Sequence, residues 1–306
     1  MNPKCKHLFS DIRFISCANL GLPKDSFAQM PTPQIDERGI NIFFSSRNSH
    51  GQSVPYQAVL DPVSLSVVSS ANPVTLIQGD LGTFDCDGIM PSSIISIRGT
   101  PHLYYVGWSR GFTTPYQLGI GLSIWRPPME SFEKVGIGPI LDRSLENPFF
   151  VTTPHVSSNA VGYKMLFSSG KGWKVDNSRI ESLYGIKEAY SNDGVKWTNF
   201  KTLDFGGNSS DCLARPFSLE SHTYISRRPD VNFRGSSDGY RIEAYLNGKP
   251  YSFLKCVSFW NNEVEDNLDR AYASLLQIGT RRIVFYNGQG FGKNGFHIAE
   301  EKILRD

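Results

Sequence analysis

Four short segments of the chain end on a proline at nearly constant intervals. AQMP reaches Pro31, GIMP reaches Pro91, VTTP reaches Pro154 and LARP reaches Pro216, with separations of 60, 63 and 62 residues. A fixed period of this length is the signature of one supersecondary unit stacked many times. Downstream of each marker comes a run rich in β-branched and aromatic residues: INIFFSS, HLYYVGW, YKMLFSS and HTYISRR. A fifth run, RIVFYNG, follows DRAYAS, where Ser274 stands in the place of the proline. Such runs, bounded by Gly and polar turns, read as strands. YQLGIGLS, YGIKEAYS, YRIEAYL and FHIAEE supply the strands after them.

Five units of roughly 60 residues use up the 306-residue chain as one domain, 1–306. The expected fold is all-β, a five-bladed β-propeller with four-stranded antiparallel blades around a channel. The third unit closes with SNDGVKW, an Asn-Asp-Gly turn before Trp197, and units two and four carry IWRPPMESF and LNGKPYSF there. HLFSDIRFIS, near the N-terminus, has no unit of its own and is expected to close the ring as the outer strand of the last blade. A pair of β-sandwiches with coincidental spacing is the competing arrangement.

Composition narrows the function classes. With 31 basic and 29 acidic residues the net charge is +2, so no global field draws in nucleic acid. Cysteines at 5, 17, 86, 212 and 256 form neither a CxxC pair nor a disulfide framework, which points to reduced thiols and a cytoplasmic location. The opening residues MNPKCKHLFSDIRF lack a signal-peptide core, and no run of 18 apolar residues spans a membrane. No GxSxG, P-loop or dinucleotide fingerprint occurs, and the histidines lack metal-ligand spacing, so neither cofactor nor metal is expected.

The meander places the start of each inner strand, the end of the second and the start of the third on one face of the ring. Side chains far apart in sequence would gather there, at the mouth of the channel. The inner-strand starts contribute Asp87, Thr153, Arg215 and Asp269, with Asp211 just upstream and His155 just after a marker proline. Second-strand ends contribute Arg47, Trp108, Arg110, Arg227, Arg228 and Asn287. Third strands contribute Tyr116, Tyr184 and Glu188.

Taken together, FDCDGIMPSSII, LYYVGW, PYQLGIGLS, YGIKEAYSNDGVKW, LARPF and FYNGQGFGKNGF resemble the five-bladed glycosidase superfamily, which includes glycoside hydrolase families 43, 32 and 130. The resemblance extends over nearly the whole chain. It is nearest to propellers associated with bacterial surface-polysaccharide synthesis and to the propeller attached to some plant sphingolipid glycosyltransferases. It implies a carbohydrate or sugar-phosphate substrate. The hydrolases' acids on the first and a middle blade have no counterpart, since AQMP and VTTP carry none.

Glycoside hydrolysis uses two carboxyl groups, about 5 Å or ~6.5–9.5 Å apart. Asp87 is the expected general acid or base, with Asp211 or Asp269 as partner; a turn-stabilising role before Gly88 is the alternative. Asp85 is expected to cap the preceding turn. Glu188 pairs with Lys187 or a neighbouring blade, or touches substrate. The arginines bind an anionic sugar, because guanidinium forks grip carboxylate and phosphate in a bidentate way, or they form salt bridges between blades. Trp108, Tyr116 and Tyr184 stack on sugar rings or fill wedges between blades. His155 is packed and hydrogen-bonded, or catalytic. The expected function is glycosyl transfer or phosphorolysis rather than hydrolysis; a non-catalytic glycan-binding module and a protein-interaction scaffold are the alternatives.

Overall fold

In the computed structural model, which describes residues 6–176, 179–219, 222–229, 239–246, 257–259, 269–288 and 290–304, each sequence repeat contributes a run of antiparallel strands, and a parallel bridge at Ser53↔Gly88 joins the first two runs. Strand β1 is Lys6–Ser16. The first repeat holds β2 (Gln29–Asp36), β3 (Gly39–Arg47), β4 (Ser53–Leu60) and β5 (Val67–Pro73). The second holds β6 (Gly88–Ile97), β7 (Thr100–Arg110), β8 (Tyr116–Arg126) and β9 (Ser131–Lys134). The third holds β10 (Val151–Asn159), β11 (Gly162–Asp176), β12 (Arg179–Ser191) and β13 (Thr198–Thr202). The fourth holds β14 (Cys212–Leu219), β15 (His222–Arg228), β16 (Arg241–Leu246) and β17 (Val257–Phe259). The fifth holds β18 (Ala271–Ile278), β19 (Arg281–Asn287) and β20 (Gly295–Leu304). From Asn247 onward the segment LNGKPYSF lies outside the described residues.

The first strands of the repeats, β2, β6, β10, β14 and β18, touch one another in that order, and β18 touches β2. Side chains between consecutive sheets form the cores. Phe43, Ile89, Leu103, Tyr105 and Phe132 join the first two sheets. Tyr104, Ile120, Met165, Phe167 and Trp197 join the second to the third. Ile186, Phe205, Leu213 and Ile225 continue to the fourth, and Phe217, Tyr224, Val284 and Tyr286 to the fifth. Phe285, Phe296 and Ile298 then pack against Ile40, Ile42 and Phe44 of the first. Each side chain so buried contributes about 1.5–3 kcal/mol. Because both faces of a sheet are covered, β3 is buried at eight consecutive positions and reads GINIFFSS instead of alternating. This is an all-β, propeller-like arrangement.

As expected, β1 is the outer strand of the last sheet. It pairs antiparallel with β20 from Lys6↔Leu304 to Ser16↔Gly295, and its start runs parallel to β17. The two ends of the chain therefore share one sheet. Asn287 adds a second tie: its carboxamide accepts from the Met30 amide at 2.8 Å and donates to the Ala28 carbonyl at 2.9 Å.

The marker prolines have a structural cause. The pairing register of each first strand slips at this point, leaving a β-bulge. In four strands the bulge holds a residue in the left-handed region: Met30 (φ 56°), Thr153 (φ 48°), Arg215 (φ 38°) and Tyr272 (φ 53°). Three of the four precede a marker proline, whose missing N–H costs nothing where the ladder is interrupted. The fourth corrects the sequence alignment by one residue, since Ala273, not Ser274, follows Tyr272. Ser274 aligns instead with Thr32 and Ser92, and all three hydroxyls do the same work. Thr32 donates to the Pro91 carbonyl (3.2 Å), Ser92 to that of Pro154 (2.9 Å) and Ser274 to that of Pro31 (2.6 Å), each tying one first strand to the next.

Candidate functional site

The bulges lie where the first strands meet, and a cavity of about 290 Å³ opens there. Its wall contains Met30, Met90, Thr153 and Tyr272 from the first strands of four repeats. Arg47 and Trp108 come from the ends of β3 and β7, Tyr116 from the start of β8, and Arg228 from the end of β15. The face that lines the cavity is thus the one deduced from strand direction. Its volume sits at the lower end of the ~300–1,000 Å³ usual for small-molecule sites.

Six of the expected substrate-binding residues line it: Arg47, Trp108, Tyr116, Thr153, Tyr184 and Arg228. The Arg47 guanidinium lies over the Trp108 ring, 5.0 Å from its centroid, and donates to Gln29 Oε1 and the Gly51 carbonyl. Trp108 is oriented by its indole N–H, which donates to Ser53 Oγ at 3.0 Å. Tyr116 bonds the Ser182 hydroxyl at 2.8 Å, and burial pushes its phenol up to about 12. Tyr184 and Tyr240 share a short hydroxyl–hydroxyl contact, and Arg228 lies 5.7 and 5.8 Å from their two ring centroids. The Arg228 guanidinium donates to the Ser182 carbonyl and to Cys212 Sγ.

Among the described lining residues the one carboxylate is Glu181, buried to 8% exposure. It lies on β12 beside Arg228 and Tyr116, whose charge states it influences. Glu181 escaped the sequence reading because YGIKEAYS places the third strand at Tyr184, whereas β12 begins at Arg179. β11 and β12 form a hairpin of 15 and 13 residues that overhangs the cavity. The overlooked signal is the strand-like RIES just before YGIKEAYS, which carries β12 back to Arg179.

The acids expected to carry the chemistry are not among the lining residues. Asp87 accepts from the Arg110 amide at 2.7 Å and pairs with its guanidinium at 3.3 Å. Asp211 pairs with Arg227 at 2.7 Å and accepts from the Asn208 amide. Asp269 accepts from the Tyr240 amide at 2.8 Å. Asp85 is fully buried, paired with Lys134 at 2.6 Å and bonded by the Tyr105 hydroxyl, so it ties the second sheet together. In FDCDGIMPSS the two acids therefore have separate tasks: Asp85 anchors, and Asp87 holds Arg110.

Several expected ligand contacts are likewise drawn into the scaffold. Arg227 is saturated by Asp211, Glu243, Tyr245 and two carbonyls. Glu188 pairs with Lys164 at 2.7 Å, not with Lys187, and Asn287 makes the ring-closing bonds above. Arg110 is exposed beside the mouth and donates to the His50 carbonyl. Arg215, 2% exposed, reaches the first strands of three other repeats: the Tyr272 carbonyl (2.6 Å), Thr32 Oγ1 (2.6 Å) and the Ser92 carbonyl (3.3 Å). Burial lowers its basicity to about 9, so it stays charged at neutral pH. Arg215 and His155 line a second cavity, about 310 Å³, farther along the same strands.

Burial, then the nearby Arg215 charge, lowers the His155 imidazole to about 4; burial, then Arg270, does the same for His297. Both rings are neutral in the folded chain, while an unfolded histidine takes up a proton below about 6.5. The stability they confer is complete above that value and is lost as pH falls towards 4. The melting temperature should fall between pH 6.5 and 4, and less steeply in His155→Gln. A melting temperature constant across that window would contradict the assignment.

Among the described residues, no helix is long and apolar enough to cross a membrane and no cluster of three metal-ligating side chains occurs. Cys17, Cys86 and Cys212 are free thiols; Cys5 and Cys256 lie outside the described residues.

No family model matches the chain. The uncharacterized protein Rv1502 of Mycobacterium tuberculosis (strain H37Rv) is 26% identical over 290 residues, covering 90% of this chain and 92% of that protein. A solved structure described as a glycoside hydrolase superposes with a TM-score of 0.64 at 12% identity, over 92% of this chain and 89% of the other. A structure from work on the GH130 family of mannoside phosphorylases, which contains hydrolases of β-1,2-mannosidic linkages in Candida mannan, superposes with a TM-score of 0.55. It is 12% identical and covers 90% of this chain and 84% of its own. At this identity the likeness to solved structures is one of fold.

Proposed function

We propose that the chain is a single five-bladed β-propeller, and that it is a carbohydrate-active enzyme working at the mouth of its channel. The cyclic order of contacts among β2, β6, β10, β14 and β18 supports the ring. Its likeness to glycoside hydrolases and a GH130 structure supports a glycosidic or sugar-phosphate bond as the target.

The observation that carries the choice of chemistry is that one carboxylate, Glu181, stands in the cavity wall with two guanidinium groups. Hydrolysis by two flanking carboxylates lacks its second member there. Transfer or phosphorolysis of an anionic sugar needs only one. Glu181 donates a proton to the leaving glycosidic oxygen, the C–O bond breaks, and a phosphate oxygen, or an acceptor hydroxyl that returns its proton to the Glu181 carboxylate, bonds to the anomeric carbon. With phosphate the products are a sugar 1-phosphate and the freed alcohol. The aromatic wall holds the sugar rings by their C–H faces. A non-catalytic glycan-binding module is the second reading, favoured by the saturation of Asp87 and Asp211 in scaffold contacts.

The test is to incubate the chain with a panel of oligosaccharides, with and without phosphate, and follow the released reducing sugar and sugar 1-phosphate. Phosphate-dependent release of a sugar 1-phosphate is expected under phosphorolysis, and sugar exchange between oligosaccharides under transfer. Binding of oligosaccharide without turnover under either condition would sink the enzymatic reading in favour of the binding module.

A further inference from the structure

Arg47 differs from every other arginine near the cavity. Arg215 is spent on carbonyls across the axis, and Arg227 on two carboxylates. Arg228 is engaged by Ser182, Cys212, two tyrosine faces and the attraction of Glu181. Arg47 lines the cavity with no carboxylate paired to it among the described residues. Its Nε and Nη1 are fixed by Gln29 and Gly51, and its plane by Trp108.

A second guanidinium is brought to it deliberately. Arg110 donates to the carbonyl of His50, the residue before the Gly51 carbonyl that holds Arg47. The Asn48 side chain fixes that turn by accepting from the His50 and Gln52 amides, both at 3.0 Å. Asp87 steadies Arg110, while Arg47 has no paired carboxylate among the described residues. Burial lowers the basicity of Arg47, and the Arg110 charge adds to that, with Tyr272 acting in the opposite sense. With Asp87 balancing Arg110 alone, two arginines tied to the adjacent His50 and Gly51 carbonyls carry an excess positive charge that an anion would neutralise.

We propose that Arg47 and Arg110, braced by the 48–51 turn and Asp87, form a subsite for a phosphoryl group at the mouth of the cavity. The N–H groups that Gln29, Gly51, His50 and Asp87 leave free on two separate guanidinium groups suit a tetrahedral phosphoryl group, which has oxygens for both. The group is either inorganic phosphate entering as co-substrate or the phosphate of a sugar phosphate. Asp87 is a positioning residue in this arrangement. The inference rests on the carbohydrate reading above but is tested separately from it.

Titration calorimetry on the full chain, at constant ionic strength, with inorganic phosphate, glucose 1-phosphate, glucuronate and a neutral methyl glycoside decides the matter. Phosphate-bearing probes should bind wild type, and Arg47→Ala or Arg110→Ala should each weaken them at least tenfold. Arg47→Lys, which keeps the charge without the fork, should fall between, and Arg38→Ala should change nothing. Binding by glucose 1-phosphate alone names a sugar phosphate as the source; binding by both phosphates names free phosphate as sufficient. Phosphate affinity unchanged in Arg47→Ala, or glucuronate preferred over phosphate, overturns the subsite. A neutral glycoside that binds wild type and Arg47→Ala alike, with no phosphate binding, overturns the subsite and leaves the carbohydrate reading intact. Arginine-dependent phosphate binding with no sugar bound by any route supports the subsite and removes the carbohydrate reading.

Discussion

Replacing Glu181 by Gln should reduce turnover by roughly 10²–10⁴-fold while leaving the fold intact, because its carboxyl group is the one carboxyl group among the described residues of the cavity wall. The side chain keeps its size and its hydrogen-bonding capacity, so substrate affinity should change little. The loss should appear in kcat, the sign of an interaction made chiefly in the transition state. A glycosyl fluoride gives a second readout, because fluoride leaves without a proton. Glu181→Gln should therefore retain most of its activity on a glycosyl fluoride and almost none on the matching oligosaccharide. A decrease of less than tenfold on the oligosaccharide would remove Glu181 from the proton-transfer step. Equal losses on both substrates would assign it to binding.

The largest stability effect is expected at Arg215. Its guanidinium holds the Tyr272 and Ser92 carbonyls and the Thr32 hydroxyl, which belong to three different repeats. Arg215→Ala leaves those acceptors buried without their donor and opens a void on the axis. At about 1–3 kcal/mol for each unsatisfied group, the loss is roughly 4 kcal/mol or more. For a chain of this size that lowers the melting temperature by about 6 °C or more. Arg215→Met, which restores volume but not the donors, should recover only part of it. Arg47→Ala, at the rim, should lie within about 1 kcal/mol of wild type. A melting temperature for Arg215→Ala within 2 °C of wild type would mean that the ring centre is held by other contacts.

The contrast between these two residues shows what the sequence could carry. The prolines were legible because a β-bulge tolerates a residue without an N–H, and Pro31, Pro154 and Pro216 each sit at one. The closing strand was legible by subtraction, since HLFSDIRFIS belonged to no repeat. Ala273 was not, because alanine leaves no mark where proline is absent; the clue lay in Ser274, whose hydroxyl repeats the task of Thr32 and Ser92. Arg215 was placed correctly along the chain, but its direction depends on a left-handed backbone (φ 38°) that no residue type at that position announces. Glu181 was hidden by the unusual length of the β11–β12 hairpin. Asp87 was visible as an acid at a strand mouth, yet only the fold reveals that Arg110 occupies it.

The most direct measurement is a crystal structure of the chain with glucose 1-phosphate bound. Density for the sugar should appear in the 290 Å³ cavity between Trp108 and Tyr272, with Glu181 within hydrogen-bond reach of the anomeric oxygen and the phosphoryl group against Arg47. A ligand at the far end of the channel, beside His155, or an empty cavity at a concentration that saturates binding in solution, would contradict the assignment of this site.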